Sequence, residues 1–243
     1  MAKNSRLHAL ILAAGYGRRL APLTDSVPKP LLPVGGVPLL ARIIEDVLAL
    51  GLEQYEIVIN THHLAEQIQE FISNNYPGIG ISHEPEIRGT GGAIIAAASR
   101  LGFGPLLIHN GDVYSQAKLS TFIAQAGVAK YAAAMLLRHD EKAQSYGQIN
   151  RSKSGLIVDI ADRLGRPGWS DEKLMFTGIH YLSQKAVGEV KECHFCSVID
   201  NFYIPALFRG EAILGVVSEA YWNDIGTPER LAEVQNYLAS KKE

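Results

Sequence analysis

Apolar runs of strand length and segments of helical period take turns along the first half of the chain. Residues 7–13 read as a strand and 38–50 as a helix; 56–60 with 64–73, then 79–82 with 91–101, repeat the pair, and 105–109 adds another strand. That alternation argues for βαβ units, and so for an α/β fold: a Rossmann-like mixed, mostly parallel sheet with helices on both faces. In such sheets ligands sit beyond the carboxyl ends of the strands. The loop after the first strand leaves at that edge, and Asn110-Gly111-Asp112 leaves the fourth strand there too. The second half is less regular. Strands are expected at 131–137, 147–150, 156–160, 174–182 and 212–217, some of them antiparallel. A helix is expected at 198–208 despite Pro205, and another at 228–240 with Thr227 as N-cap and Pro228 in its first turn. With 47% hydrophobic residues, no low-complexity linker and no internal repeat, a single domain over 1–243 is the economical expectation.

The loop that follows the first strand reads Gly15-Tyr16-Gly17-Arg18-Arg19-Leu20 and runs on to Lys29, which stands between Pro28 and Pro30. It is not the dinucleotide fingerprint. Leu20 stands where the third glycine is needed, and Pro22, Pro28, Pro30 and Pro33 forbid the regular helix that should follow. The pattern of a P-loop, with its Gly-Lys-Ser/Thr, is absent as well. What remains is a proline-stiffened loop of roughly twenty residues, far longer than the usual connection. Bare glycine backbone can close on phosphate oxygens while Arg and Lys supply charge. A nucleoside triphosphate (NTP) suits that combination; an ordinary rigid turn with solvated cations is the alternative.

Residues 12–34, LAAGYGRRLAPLTDSVPKPLLPV, resemble the opening motif of the sugar-1-phosphate nucleotidylyltransferases, G-x-G-x-R-[LM]-x-P-L-T-x-x-x-P-K-P-[LM]-x-P-[VI]. The resemblance, which extends to the last helix, implies the nucleotide-diphospho-sugar transferase fold. It implies a reaction in which a sugar 1-phosphate attacks the α-phosphorus of an NTP, giving an NDP-sugar and pyrophosphate with Mg²⁺. It assigns Arg19 to the triphosphate and Lys29 to the phosphates at the reacting centre, with Leu12, Ala14, Gly15 and Gly17 around the nucleotide. Arg18 falls at a variable position and is left out of catalysis. Such transfer is catalysed by alignment and charge neutralisation, so no protein base is required.

Two aspartates resemble the family's metal ligands: Asp112 in Gly111-Asp112, and Asp224 in Trp222-Asn223-Asp224-Ile225-Gly226-Thr227. Without the resemblance, each is equally readable as a turn or cap residue. The base is expected near 83–92, with Glu84, Gly89, Thr90 and Gly91 on the nucleotide, although Ile87-Arg88 departs from the family's P-L-G-T run and a solvated role for Glu84 or Glu86 competes. On the acceptor side Asn110, Tyr146, Gly147, Thr177 and Gly178 resemble sugar-contacting positions. Asp162 and Arg163 stand where many members carry Glu-Lys, as a shorter acid and a forked cation. His62-His63 reads as a surface or loop pair rather than as metal ligands.

Composition narrows the partners. Lys plus Arg total 23 against 25 Asp plus Glu, so no whole-chain field favours nucleic acid or an anionic membrane. The sequence shows no membrane span and no signal-peptide layout, and the expected location is the cytoplasm. Cys193 and Cys196 match C-x-x-C spacing but lack the context of a zinc or thioredoxin site, which leaves a chance pair of thiols. No hexapeptide repeat follows the last helix, so a monofunctional transferase is expected, using UTP or GTP with a hexose or heptose 1-phosphate for envelope glycoconjugates. Assembly with further copies of the chain stays open. Two rivals keep the same fold: a non-catalytic nucleotide-sugar sensor, and a cytidylyltransferase for a phospho-alcohol.

Overall fold

The computed structural model describes residues 6–128, 130–191 and 194–241. Strands β1 (His8–Leu12), β2 (Ile57–Thr61), β3 (Gly80–His83) and β4 (Leu106–Asn110) run parallel, with β1 between β2 and β4. The intervening helices are α1 (Leu39–Leu48), α2 (Ala65–Asn75) and α3 (Gly89–Leu101). The chain continues through β5 (Val113–Ser115), α4 (Leu119–Ala126), β6 (Ala133–His139), β7 (Ile149–Arg151), β8 (Ile157–Ile160), β9 (Leu174–Leu182), β10 (Ile213–Val217), β11 (Trp222–Asp224) and α5 (Pro228–Ala239). Seven strands form the central sheet in the order β10-β6-β9-β4-β1-β2-β3. Only β9 runs against its neighbours, so the sheet is mixed and mostly parallel, as the alternation predicts.

Alternate residues of each strand supply the two faces. Ala9 and Ile11 of β1, Ile57 and Ile59 of β2 and Leu107 of β4 join one buried cluster, covered by α1 and by Leu231 and Val234 of α5. Leu10, Val58, Leu106 and Ile108 face the other way, onto Ala93, Ile94, Ala97 and Ala98 of α3. Strands buried on both faces read as continuous apolar runs, and that is how they appear in the sequence.

Three features escape a reading by period. The ribbon of β5 with β11 is three residues long on each side, too short to show alternation, and α4 is only eight residues long. The loop after β1 is also more ordered than bare, with helical turns at Arg18–Leu20, Leu23–Ser26 and Lys29–Leu31. Residues 199–208 are helical, opening with a wide π-type turn, Ile199–Tyr203, that places Pro205 in the first turn of Ile204–Phe208. The Thr227 side chain accepts from Arg230 N at 3.4 Å, the expected cap. Cys193 lies outside the described residues, and Cys196 is disulfide-bonded, which corrects the expectation of a thiol there. Among the described residues no helix is long and apolar enough to cross a membrane.

His180 of β9 is buried against Phe176 and Tyr203, its Nδ1 2.8 Å from the Tyr203 hydroxyl, and burial lowers its pKa from 6.5 to about 3. The folded ring stays neutral while the unfolded one protonates below 6.5, so the unfolded state binds more protons between those limits and stability falls as pH drops through that window. Each bound proton is worth about 1.4 kcal/mol per pH unit. Urea unfolding from pH 7 to pH 5 should show a steeper loss in the wild type than in His180→Leu; parallel curves would contradict a neutral buried ring.

Candidate functional site

The site lies at the carboxyl ends of β1 and β4. Gly111 makes their juncture: its N–H donates to Leu12 O at 2.8 Å, and a Cβ on it would stand 2.6 Å from that oxygen, so only glycine permits the approach. That contact sets Asp112 beside the loop after β1. Lys29 Nζ donates to Asp112 Oδ2 at 2.6 Å; the lysine side chain is 10% exposed and the aspartate 36%, so the ion pair faces an opening rather than bulk water. Burial also holds His109 neutral, its pKa lowered to about 4, with its Nδ1 at 2.8 Å from Asn110 O.

The second aspartate arrives from the far end of the chain. β11 pairs antiparallel with β5, Asp224 opposite Val113, and Ile225 N donates to Asp112 O at 2.8 Å. Two carboxylates 112 positions apart therefore share one ribbon end. Trp222 Nε1 donates to Thr177 O at 2.8 Å, anchoring the ribbon to β9. Asp224 Oδ1 is ion-paired with Arg230 Nη1 in the first turn of α5. Arg230 also reaches the Tyr146 hydroxyl and lies over its ring, 5.6 Å from the centroid.

A cavity of about 350 Å³ gathers the expected phosphate residues: Leu12, Gly15, Gly17, Arg19 and Lys29 line it with Thr90, Asn110 and Asp112. Arg18 lines it too, which the variable-position reading left out, as does Gly226. The Arg19 guanidinium packs against Gly226, where a Cβ would meet Nη2 at 3.0 Å and the Asp224 carboxylate at 3.5 Å. Cations and carboxylates thus stand together at the cavity, Lys29 on Asp112 and Arg19 near Asp224. A second cavity of about 150 Å³ shares Leu12, Gly15 and Thr90 and adds Ala14, Asn60, Glu84, Ile87 and Gly89.

Glu84 is 1% exposed and its oxygens are committed, Oε1 accepting from Asn60 Nδ2 and Oε2 from Arg88 N, each at 2.9 Å. Asn60 Oδ1 accepts from Ala13 N at 2.7 Å. Glu84 therefore ties β2 and the end of β1 to the turn before α3 and stands in the wall of the smaller cavity. A solvated Glu84 is excluded. Gly91 is turned elsewhere: its N donates to Cys196 O at 2.9 Å and a Cβ there would lie 2.6 Å from Cys196 Sγ.

On the acceptor side Gly178, at φ 85°, lies against Asn110, where a Cβ would meet Nδ2 at 2.6 Å. Thr177 is buried, its hydroxyl donating to Leu136 O. Gly147 abuts Ala161 and brings Tyr146 near the turn that carries Asp162. Arg163 does not line the cavity; its Nη1 pairs with Asp200 at 2.7 Å. The turn is organised by a residue that the sequence reading missed. Asp159, fully buried, accepts from Ile160 N, Leu164 N and Arg166 N at 2.7 to 3.2 Å. Its only sequence signal is a carboxylate inside the apolar run of β8.

The donors fit a hard divalent cation. The paired strands bring two aspartates to one ribbon end, Asp112 ion-paired with Lys29 and Asp224 with Arg230, and no group of three or more His, Cys, Asp or Glu occurs among the described residues. Mg²⁺ characteristically takes one or two carboxylates and completes its shell with phosphates and water.

The nucleotidyl transferase family model matches residues 8–241. The chain is 26% identical over 234 residues to the D-glycero-alpha-D-manno-heptose 1-phosphate guanylyltransferase of Aneurinibacillus thermoaerophilus, covering 96% of this chain and 98% of that protein. It is 42% identical over 111 residues to the N-acetylmuramate alpha-1-phosphate uridylyltransferase of Neisseria meningitidis serogroup B, 44% of this chain and 47% of that one. Other curated relatives are about twice as long, the chain spanning 55% of one and 54% of another. The crystal structure of HddC from Yersinia pseudotuberculosis complexed with GMP-PN superposes with a TM-score of 0.75 at 22% identity, covering 95% of this chain and 99% of that one, which establishes the same fold.

Asp159→Ala should remove the acceptor from one buried and two part-buried N–H groups and cost about 1–3 kcal/mol, the span for an unmet buried donor, since water can reach the other two. Limited proteolysis should then cut near 160–167; wild-type stability and an uncut turn would show that Asp159 does not hold it.

Proposed function

The chain belongs to the nucleotidyl transferase family, and from that premise we propose that it transfers a nucleoside monophosphate from an NTP to a sugar 1-phosphate, releasing pyrophosphate. One observation carries the reading: the Lys29–Asp112 ion pair stands in a single cavity with Arg19 and the glycine loop, with Asp224 across the ribbon. A phosphate oxygen of the sugar 1-phosphate forms a bond to the α-phosphorus. The bond from that phosphorus to the oxygen bridging to the β-phosphate breaks, and pyrophosphate leaves with the electron pair. The nucleophile is already an anion, so nothing needs a protein base.

The residues do the aligning. Bare amides at Gly15 and Gly17 and the Arg19 guanidinium hold the phosphate chain; Lys29 stands beside the reacting phosphorus to balance charge as it grows in the transition state. Asp112 and Asp224 would hold Mg²⁺, which supplies charge neutralisation of the phosphates. The smaller cavity receives the base, with Glu84, Gly89 and Thr90 in its wall and Glu84 holding that wall in place through Asn60 and Arg88. Asn110, Thr177 and Gly178 shape the acceptor wall with Tyr146 and Gly147, and Asp162 adds a carboxylate from the next turn, whereas the Arg163 guanidinium is held by Asp200. UTP or GTP with a hexose or heptose 1-phosphate is the substrate pair, consistent with uridylyl- and guanylyltransferase relatives, and the product is a nucleotide sugar for envelope glycoconjugates made in the cytoplasm.

Four NTPs crossed with several sugar 1-phosphates and Mg²⁺ should yield pyrophosphate for at least one pair; silence across the panel would favour a sensor. Asp112→Asn should keep the fold and lower kcat by about 100-fold or more, since it removes a metal-borne charge. Near-normal Mg²⁺-dependent turnover would remove Asp112 from that role. Lys29→Ala should lower kcat by about 100-fold with a smaller change in KM for NTP, whereas unchanged kcat would exclude transition-state contact.

A further inference from the structure

One cation of the glycine loop has no part in the reaction as drawn, although the fold holds it with care. Arg18 lines the phosphate cavity and not the base cavity. Its guanidinium carbon lies 4.8 Å from the centroid of the Tyr16 ring, within range of a cation–π contact. Tyr16 stands in turn on two histidines. The His62 ring meets it edge-on, centroids 5.2 Å apart at 87°, and the His63 ring lies at 5.5 Å. The Tyr16 hydroxyl and His62 Nε2 are 2.9 Å apart.

Both histidines are fixed at their far sides. His62 Nδ1 is 2.8 Å from Glu84 O, and His63 Nε2 is 3.0 Å from Thr24 O. A carbonyl oxygen only accepts, so these nitrogens carry the protons and donate. In the neutral His62 ring Nε2 is then the acceptor, and the Tyr16 hydroxyl donates to it. A continuous chain runs from the wall of the base cavity through His62 and Tyr16 to Arg18. Tyr16 is 41% exposed, so core packing does not explain this arrangement.

Resting on the nucleotide reading above, we infer that Arg18 is a further ligand for the β- and γ-phosphates of the NTP, the part that leaves as pyrophosphate, and that Tyr16, His62 and His63 are its positioning residues. The direction follows from the loop. Lys29 is held on Asp112 and packs against Gly17, whose missing Cβ would meet the Lys29 Cβ at 3.3 Å, while Arg18 lines the same cavity from its separate stack on Tyr16. A phosphate chain whose α-phosphorus lies at Lys29 reaches Arg18 with its outer phosphates. A guanidinium bound to phosphate makes paired, charge-assisted hydrogen bonds.

The test compares ligands that differ only in those phosphates. Calorimetry with UTP, GTP, UMP, GMP and inorganic pyrophosphate should show Arg18→Ala weakening the bound triphosphate and pyrophosphate by about ten- to a hundredfold, the span of charge-assisted bonds, with monophosphate binding changed less than about twofold. In turnover, KM for NTP should rise while KM for the sugar 1-phosphate stays put. Arg18→Lys should recover part of the loss. Tyr16→Leu should move the same constants in the same direction, and Tyr16→Phe, which keeps the ring face, should move them less. Equal weakening of mono- and triphosphate, or triphosphate binding as tight as in the wild type, would overturn the inference. Absence of turnover in the wild type would instead strike the transferase reading, and the calorimetry reports on Arg18 without it.

Discussion

The Lys29–Asp112 ion pair is the constraint on which the site depends. It joins the loop after β1 to the turn after β4, two strands that the sheet makes neighbours. The loop cannot float, because its lysine is buried against that carboxylate, and the turn cannot drift, because Gly111 is hydrogen-bonded to Leu12 O. A burial of this kind is costly for a charge unless it is paired. The pair therefore fixes where the loop after β1, its glycine amides and the first candidate metal ligand stand relative to one another.

The remaining charge is arranged around that point. The β5–β11 ribbon carries Asp224 to Asp112, and Arg230 meets Asp224 from the first turn of α5. Cations and carboxylates so alternate across the cavity, a balance that an anionic substrate with a divalent cation would fit and a neutral ligand would not. Net charge gives no hint of it, since the chain's acids and bases nearly cancel.

Much of this was legible in the sequence for identifiable reasons. Strands buried on both faces show as apolar runs, and the glycine, arginine and lysine spacing of the first loop is a local pattern, so β1 to β4 and the loop residues that line the cavity are legible directly. The Thr227 cap is local as well. The ribbon was not legible, because its three-residue strands carry no period and its partners are over a hundred positions apart. Side-chain commitments were equally hidden. Glu84 could not be seen to be consumed by Asn60 and Arg88, nor Asp159 to be the hub of its turn, nor Arg163 to pair with Asp200, because each depends on a partner set by tertiary structure. Arg18 was set aside for lying at a variable position, yet its place is decided by the rings beneath it.

The account stands or falls on which bond of the NTP breaks. Incubating the protein with Mg²⁺, a sugar 1-phosphate and UTP or GTP labelled at the α-phosphate follows that bond directly. The label should pass into a nucleotide sugar, with unlabelled pyrophosphate released in equal amount. Label left in nucleoside diphosphate with free inorganic phosphate, or left wholly in the NTP with every sugar 1-phosphate offered, would contradict nucleotidyl transfer at this site.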